Sequence, residues 1–356
     1  MVHSAGEVDP GLATQAGQSR TPPPTYMPSL NPILDRDREL FDCRLRSFVV
    51  PGAFDAHAHL YAPGHLSGDH GSFNDEDCDV TRKAWTNLTA QWMGDLAPTD
   101  GLFFGLPLPG IDIDANNGFV ARELKQATDS RGLLVVRPSD DAAAVESRLA
   151  ADGFAGMKVY HLYADRPDPG NADIEDFLPE WVWQIADQSD RVITLHIVRA
   201  RALADEGNQK YIRDHCRRYP HARLILAHAA RGFCADHTVD GIGSLAGLDN
   251  VFFDTSAIVE PGALMAVLKQ FGAGRLMYGS DYPIGNIRCR PTSVGDGFFW
   301  VYGDDPRWKQ WTLGQLSLVG IDALLALRQA SRLLDLTDAD VERIFIHNAR
   351  ELLGIK

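Results

Sequence analysis

Eight short, apolar and β-rich runs alternate with helical stretches along the chain, and this rhythm limits the possible folds more than any other feature. The runs occupy residues 53–59, 102–106, 133–137, 156–160, 192–197, 224–228, 251–254 and 276–280. Strands that alternate with helices form parallel sheets, and eight such units favour a closed (β/α)₈ TIM barrel of the α/β class. An open doubly wound sheet would share the rhythm. However, no G-x-G-x-x-G motif follows an early run, which disfavours nucleotide binding.

The chain is predicted to form one barrel domain that follows an N-terminal extension. Residues 1–30 are polar and rich in Gly, Ser, Thr and Pro, so we expect an extended, flexible arm. Residues 31–356 are assigned to the barrel domain, which ends in C-terminal helices. Thr337 followed by Asp340 predicts a helix start, and Gly354 predicts the end of the last helix.

Further helix signals lie before and between the strands. Residues 33–46 and 171–189 have the mixed apolar and polar pattern of helices. Pro261 is typical of a first helical turn, and Gly272 is typical of the residue that ends a helix.

Charge, cysteine content and hydropathy limit the partners and the compartment. The net charge is −14, from 48 acidic and 34 basic residues. This balance disfavours nucleic acid and anionic membranes as partners, because both bind cationic surfaces. The five cysteines include no C-x-x-C pair, so we expect reduced thiols. We find neither a signal peptide nor an apolar run of about 18 residues, and therefore expect a cytoplasmic protein.

The motif Asp55-Ala56-His57-Ala58-His59, at the end of the first run, is the sharpest sign of chemistry. Residues two apart in a strand face the same side, so the two imidazoles should project together. Two nitrogen ligands on one rigid strand favour a divalent metal site. A chance pair of polar residues near a turn is the alternative, because H-x-H motifs are common.

Three more polar residues end later runs, namely His196, His228 and Asp281. The C-terminal ends of all strands in a barrel meet at one mouth, where catalytic groups come from several strands. A single histidine at a strand end is more often a buried, hydrogen-bonded side chain than a ligand. Three such positions together with the H-x-H motif favour an active site.

From about residue 50 to the C-terminus the chain resembles the amidohydrolase superfamily. The resemblance is to the amidohydrolase-2 branch, which contains carboxymuconate-semialdehyde decarboxylase and related decarboxylases, hydratases and lactonases. The matching stretches are FDAHAHL (54–60), GMKVY (156–160), ITLHI (193–197), LILAHAARGF (224–233), VFFDTS (251–256), YGSDYP (278–283) and HNARELLG (347–354). Many relatives have small residues and glycines after the sixth-strand histidine, whereas this chain has Ala-Ala-Arg.

This resemblance implies a role for each polar residue at the barrel mouth. His57, His59, His196 and Asp281 match metal ligands. Asp281 also matches the catalytic base, and His228 matches a histidine that handles protons or polarises the substrate. We expect one divalent metal; the ligand types favour zinc, with manganese, iron or cobalt as alternatives. Such a metal lowers the pKa of bound water from about 15.7 toward about 7.

Substrate contacts are predicted around the same mouth, at Tyr61, Lys158, Tyr160, Arg231 and Arg288. An arginine there can bind a substrate carboxylate, although a surface salt bridge is more common for any single arginine. Two-metal relatives carboxylate a lysine from the region of Lys158, but here a structural or substrate-contacting role is favoured. The aromatic-rich residues 290–312 could form an apolar lid or a subunit contact.

Three functions remain open on the sequence. The favoured one is hydrolysis, by metal-activated water, of an amide, lactone or related carbonyl in a small carboxylated substrate. The second is metal-dependent, non-oxidative decarboxylation of an unsaturated or aromatic acid, and the third is a non-catalytic barrel. The expected partner is a small-molecule substrate, and the resemblance is compatible with a homodimer.

Overall fold

Eight parallel strands form one sheet in sequence order in the computed structural model, which describes residues 32–68, 70, 73, 79–303 and 314–356. The strands are β1 (Phe54–Leu60), β2 (Asp100–Gly105), β3 (Arg131–Val135), β4 (Gly156–Tyr160), β5 (Val192–His196), β6 (Arg223–Leu226), β7 (Val251–Asp254) and β8 (Leu276–Met277). Each predicted strand is confirmed, with differences of a few residues at the ends. The N-terminal arm lies outside the described residues and stays a prediction.

The sheet closes through the residues that follow β8. Ala58 in β1 forms a parallel bridge with Tyr282. The amide of Asp281 donates to the carbonyl of His57 at 2.8 Å, and the amide of His59 donates to the carbonyl of Tyr282 at 2.8 Å. The predicted (β/α)₈ barrel is therefore confirmed.

Helices surround the barrel and follow it at the C-terminal end of the chain. They are α1 (Asp35–Arg44), α2 (Arg82–Met93), α3 (Ile113–Leu124), α4 (Ala142–Asp152), α5 (Glu180–Gln188), α6 (Glu206–Arg218), α7 (Ala235–Gly241), α8 (Pro261–Phe271), α9 (Val319–Leu333), α10 (Asp338–Glu342) and α11 (Asn348–Leu352). A π-helical turn, Arg343–His347, joins α10 to α11. None of the described helices is both long enough and apolar enough to cross a membrane.

Most helix ends agree with the capping signals in the sequence. Pro261 occupies the first turn of α8, and Gly272 follows its last residue with a φ of 73°. The side chain of Thr337 accepts a hydrogen bond from the amide of Asp340. The helix predicted over 171–189 is wrong at its start. The observed helix begins at Glu180, directly after Pro179. Proline lacks the amide hydrogen that a residue inside a helix donates, so the helix does not extend back through it.

Alternate strand residues fill the inside of the barrel. The lower interior is apolar and includes Phe54, Leu102, Leu133, Val192, Ile225 and Met277, together with Leu352 and Ile355 at the C-terminal end of the chain. Two residues after Gly156 in β4 and Val192 in β5, the same face carries Lys158 and Thr194. After two more residues it carries Tyr160 and His196. The interior therefore changes from apolar to polar toward the C-terminal ends of the strands.

Candidate active site

A cavity of about 400 Å³ opens at the C-terminal ends of the strands. Its wall includes most of the residues that the sequence singled out, namely His57, His59, Lys158, Tyr160, His196, His228, Arg231 and Asp281. The structure thus brings together polar residues from β1, β4 and β5 and from the segments after β6 and β8.

Two predicted substrate contacts do not lie on this wall. The guanidinium of Arg288 donates to both carboxylate oxygens of buried Asp37, at 2.9 and 2.7 Å, and so points away from the cavity. Tyr61 pairs through its backbone with Val80, and its buried ring lies 6.0 Å from that of Phe73. Neither residue therefore lies on the wall of this cavity, and a role of either in substrate binding stays a prediction.

Two histidines and a carboxylate form the centre of the cavity. Nε2 of His57 and Nε2 of His59 each lie 3.4 Å from Oδ1 of Asp281. Ligand atoms from these three buried residues lie within 4.8 Å of one another, close enough to share one metal ion. The chain therefore contains a buried His–His–Asp metal-binding site.

The second nitrogen of each ring explains why these residues suit a metal. Nδ1 of His59 lies 3.0 Å from the carbonyl oxygen of Gly105, which can only accept a hydrogen bond. Nδ1 of His57 lies 2.9 Å from Oδ2 of Asp254. Both rings therefore carry their proton on Nδ1 and direct an Nε2 lone pair toward Asp281. A carboxylate facing two lone pairs is unfavourable, and a cation between them removes the repulsion.

The charge states of these groups agree with metal binding. Burial lowers the pKa of His57 to about 4, so its ring is neutral. Burial alone would raise the pKa of Asp281, but the electrostatic field of His228, together with that of the nearby His57 and His59, lowers it below its usual value. Neutral imidazole and ionised carboxylate are the forms that bind divalent metals.

His196 lies beside this group but not within it. Its side chain is buried, and its ring centroid lies 5.0 Å from that of His228. Nδ1 of His196 has no hydrogen-bond partner among the described residues, and burial lowers the pKa of this ring well below its usual value. A neutral, unsatisfied imidazole fits a ligand, and this role stays a prediction.

Asp254, at the end of β7, is a site residue that the sequence reasoning missed. Its Oδ2 holds the ring of His57, and its Oδ1 accepts from the backbone amide of His228 at 2.9 Å. Burial alone would raise the pKa of Asp254, but the adjacent imidazole of His57 lowers it. An acidic residue at the end of an apolar run, as in Val251–Asp254, was the signal that could have identified it.

His228 is oriented by Ser256. Nδ1 of His228 lies 3.0 Å from the carbonyl oxygen of Ser256 and 2.9 Å from its hydroxyl. The Ser256 hydroxyl in turn donates to Asp254 at 2.5 Å. His57, His228 and Asp254 also lie within metal-binding distance of one another, but the serine hydroxyl already joins them. Nε2 of His228 is the nitrogen left for a bound molecule.

The turn after β6 has an unusual backbone. The φ angles of His228, Ala229, Ala230 and Arg231 are 56°, 47°, 59° and 58°, and the amide of Gly232 donates to the carbonyl of His228 at 2.8 Å. Left-handed backbone costs residues with a Cβ about 1–2 kcal/mol each. This turn places both His228 and Arg231 on the cavity wall, a pattern typical of functional sites.

Arg231 supplies positive charge to the cavity. Its Nη1 donates to the carbonyl of Arg199 at 3.1 Å, and its guanidinium carbon lies 5.0 Å from the ring centroid of Phe298. Its Nε is buried and unsatisfied, and within the described part of the chain no carboxylate pairs with it. Burial lowers the pKa of this guanidinium. An anionic ligand would supply the missing hydrogen-bond acceptor for this guanidinium.

An aromatic hairpin covers one side of the cavity. Strands β9 (Cys289–Ser293) and β10 (Phe298–Tyr302) pair antiparallel. Alternation along β10 places Phe298, Trp300 and Tyr302 on the cavity wall and leaves 43% of Phe299 exposed. The described part of the aromatic segment thus lies where a lid was predicted, whereas Trp308 and Trp311 lie outside the described residues.

Replacing Asp254 tests whether it orients the metal ligand. Asp254→Asn should lower metal affinity by about 10- to 100-fold, because an amide binds the Nδ1 proton of His57 less strongly than a carboxylate. Zinc affinity would be measured by competition with a chelator. Asp187→Asn, a substitution outside the cavity wall, is the control and should leave the affinity unchanged. Equal affinities of Asp254→Asn and the unsubstituted protein would contradict this role.

Comparisons with known proteins agree with this geometry. An amidohydrolase family model (Amidohydro_2) matches residues 54–355. No curated protein matches the chain. One similar solved structure is an Acinetobacter baumannii protein described as a "probable 2-pyrone-4,6-dicarboxylic acid hydrolase" with citric acid bound. It has a TM-score of 0.55 at 15% identity, covering 85% of this chain and 100% of that chain.

Two further solved structures share the fold at similar identity. A Burkholderia multivorans amidohydrolase with bound zinc has a TM-score of 0.52 at 16% identity, over 85% of this chain and 99% of that chain. The 5-carboxyvanillate decarboxylase of Sphingomonas paucimobilis has a TM-score of 0.50 at 16% identity, over 86% and 100%. These likenesses show the barrel fold, and the family model spans most of the sequence. The chain therefore belongs to the amidohydrolase family.

Proposed function

We propose that the protein is a metal-dependent hydrolase that directs activated water at an amide, lactone or related carbonyl of a small, carboxylated substrate. One observation carries the proposal: the same cavity holds a metal-binding group and, on its wall, an arginine without a carboxylate partner among the described residues. The metal-binding group would activate the reacting water, and Arg231 would bind an anionic part of the substrate.

His57, His59 and Asp281 would hold the metal, with His196 as a further proposed ligand. A divalent cation there would supply Lewis acidity, which polarises a carbonyl and makes water a nucleophile at neutral pH. We propose zinc, in keeping with the nitrogen and carboxylate donors and with the zinc in the Burkholderia multivorans relative. The same donors also accept manganese, iron or cobalt.

Two residues would move protons. Asp281 is ionised at neutral pH, so a carboxylate oxygen can accept the proton of the attacking water. His228 holds its Nδ1 proton against Ser256. Its Nε2 can therefore accept a proton and return it to the leaving group, or hydrogen bond to the carbonyl oxygen once protonated.

The remaining polar wall would orient the substrate. Arg231 would bind a substrate carboxylate through its forked N–H groups. Burial lowers the pKa of Lys158 to about 8, and its Nζ lies 4.8 Å from the ring centroid of Phe104. Burial raises the pKa of Tyr160, so its hydroxyl stays neutral and can donate a hydrogen bond. These groups fit a substrate with more than one polar end.

Non-oxidative decarboxylation is the second candidate, and the aromatic wall favours it. Phe233 packs with its ring centroid 5.0 Å from Phe298 and 5.4 Å from Trp300, and all three line the cavity. Such a surface suits a flat, unsaturated acid. The Sphingomonas paucimobilis relative is a decarboxylase of an aromatic acid, whereas the Acinetobacter baumannii relative is described as a hydrolase.

Product analysis separates the two reactions. The zinc-loaded protein would be incubated in ¹⁸O-labelled water with a panel of carboxylated lactones, amides and aromatic acids. Hydrolysis predicts one ¹⁸O atom in the new carboxyl group and no carbon dioxide. Release of carbon dioxide without ¹⁸O incorporation into the product would overturn the hydrolase proposal in favour of decarboxylation.

Replacing His228 separates proton transfer from metal binding. His228→Ala should keep the metal, because the His–His–Asp group remains, and should lower kcat by about 100-fold or more. Metal content and steady-state kinetics would be measured together. His221→Ala, at an exposed position, is the control and should behave like the unsubstituted protein. If His228→Ala kept near-normal turnover, the residue would have no part in the chemistry.

A further inference from the structure

A second cavity lies at the opposite end of the barrel from the candidate active site. Its volume is about 290 Å³. It is lined by the starts of β3, β5 and β6, by the residues before β4, and by the turn after α11. The proposed catalysis uses none of these residues.

Three arginines from neighbouring strands line this cavity. Arg131 is the first residue of β3, Arg191 directly precedes β5, and Arg223 is the first residue of β6. In the sheet register, Val192 is paired with Arg223 on one side and with Gly156 on the other. The parallel sheet therefore brings three half-buried guanidinium groups to one end of the barrel.

Among the described residues, the three guanidinium groups donate only to backbone carbonyls. Arg131 donates to the carbonyls of Thr128 and Ser130, at 3.1 and 2.9 Å. Arg191 donates to the carbonyl of Phe154 at 2.5 Å. Arg223 donates to the carbonyls of Leu352 and Asp190. Within the described part of the chain, none of the three arginines forms an ion pair, although the chain has a net charge of −14.

The chain leaves room between these arginines. The residues before β4 contribute only Gly153 and Ala155 to the cavity wall. Of the described residues on this wall, Asp190 alone has a side-chain carboxylate, and it is exposed, with Oδ1 3.7 Å from Nδ1 of His221. These hydrogen bonds use a minority of the five N–H groups of each guanidinium. The remaining N–H groups can therefore donate to a ligand.

We propose that this cavity binds a phosphate group, either as inorganic phosphate or as the phosphate of a small organic molecule. A phosphate presents three or four oxygens and can accept from several guanidinium groups together, whereas a carboxylate presents only two. Arginine forks match phosphate oxygens in paired hydrogen bonds. The site is separate from the catalytic cavity, because it lies at the N-terminal ends of the strands.

Titration calorimetry on the full-length protein at constant ionic strength tests this site. The probes are inorganic phosphate and glycerol 2-phosphate. Arg131→Gln and Arg191→Gln should each weaken phosphate binding about tenfold or more, because each removes charged donors. Arg217→Gln removes the same charge from an exposed position on α6 and should change the affinity less than twofold. Tighter binding of glycerol 2-phosphate would identify an organic phosphate as the ligand, and tighter binding of phosphate the free ion.

Two controls keep the result specific. Arg231→Gln removes one cation from the wall of the catalytic cavity and should leave phosphate binding at the proposed site intact. In the unsubstituted protein, phosphate should protect Arg131 and Arg191, but not Arg217, from phenylglyoxal, so the test does not depend on the variants folding. The proposal is overturned if phosphate shows no saturable binding, if Arg131→Gln and Arg191→Gln bind normally, or if Arg231→Gln abolishes binding.

Discussion

The seam between β1 and the residues after β8 is the constraint on which the site depends. At this seam the buried carboxylate of Asp55 accepts hydrogen bonds from the amide and hydroxyl of Ser280, at 2.9 and 2.5 Å, and from Nε1 of Trp85 at 3.1 Å. Burial raises the pKa of Asp55 to about 6, although the bonds from Ser280 oppose this rise. This network fixes Ser280, so Asp281, the next residue, is held against His57 and His59.

Barrel closure also lets the carboxylate of Asp254 position two site residues, His57 and His228. Asp254 binds the ring of His57, a proposed metal ligand, and the amide of His228, a proposed proton-transfer group. Ser256 adds a hydroxyl between them. The left-handed turn that begins at His228 is costly in isolation. The hydrogen bonds from His228 to Asp254 and to Ser256 offset this cost. Folded proteins retain strained backbone at a site through such surrounding contacts.

Much of the fold and of the candidate site can be predicted from the sequence, because it follows from local rules or from barrel closure. Alternation along β1 predicted that His57 and His59 face the same way, and the barrel predicted that Asp281 would join them. Side-chain directions that depend on a distant residue could not be predicted in this way. Arg288 is turned by Asp37, 251 positions earlier in the chain, and nothing near Arg288 in the sequence signals this. Asp254 was missed because its role requires knowing that β7 lies beside β6.

The site depends on one proposal, that two imidazoles and one carboxylate, brought together by barrel closure, share a cation. An anomalous-difference map from a crystal of the zinc-loaded protein, recorded at the zinc edge, tests it most directly. One peak is expected, at about 2.0–2.2 Å from Nε2 of His57, Nε2 of His59 and a carboxylate oxygen of Asp281. A peak between His57, His228 and Asp254 instead, or no peak in the cavity, would contradict it.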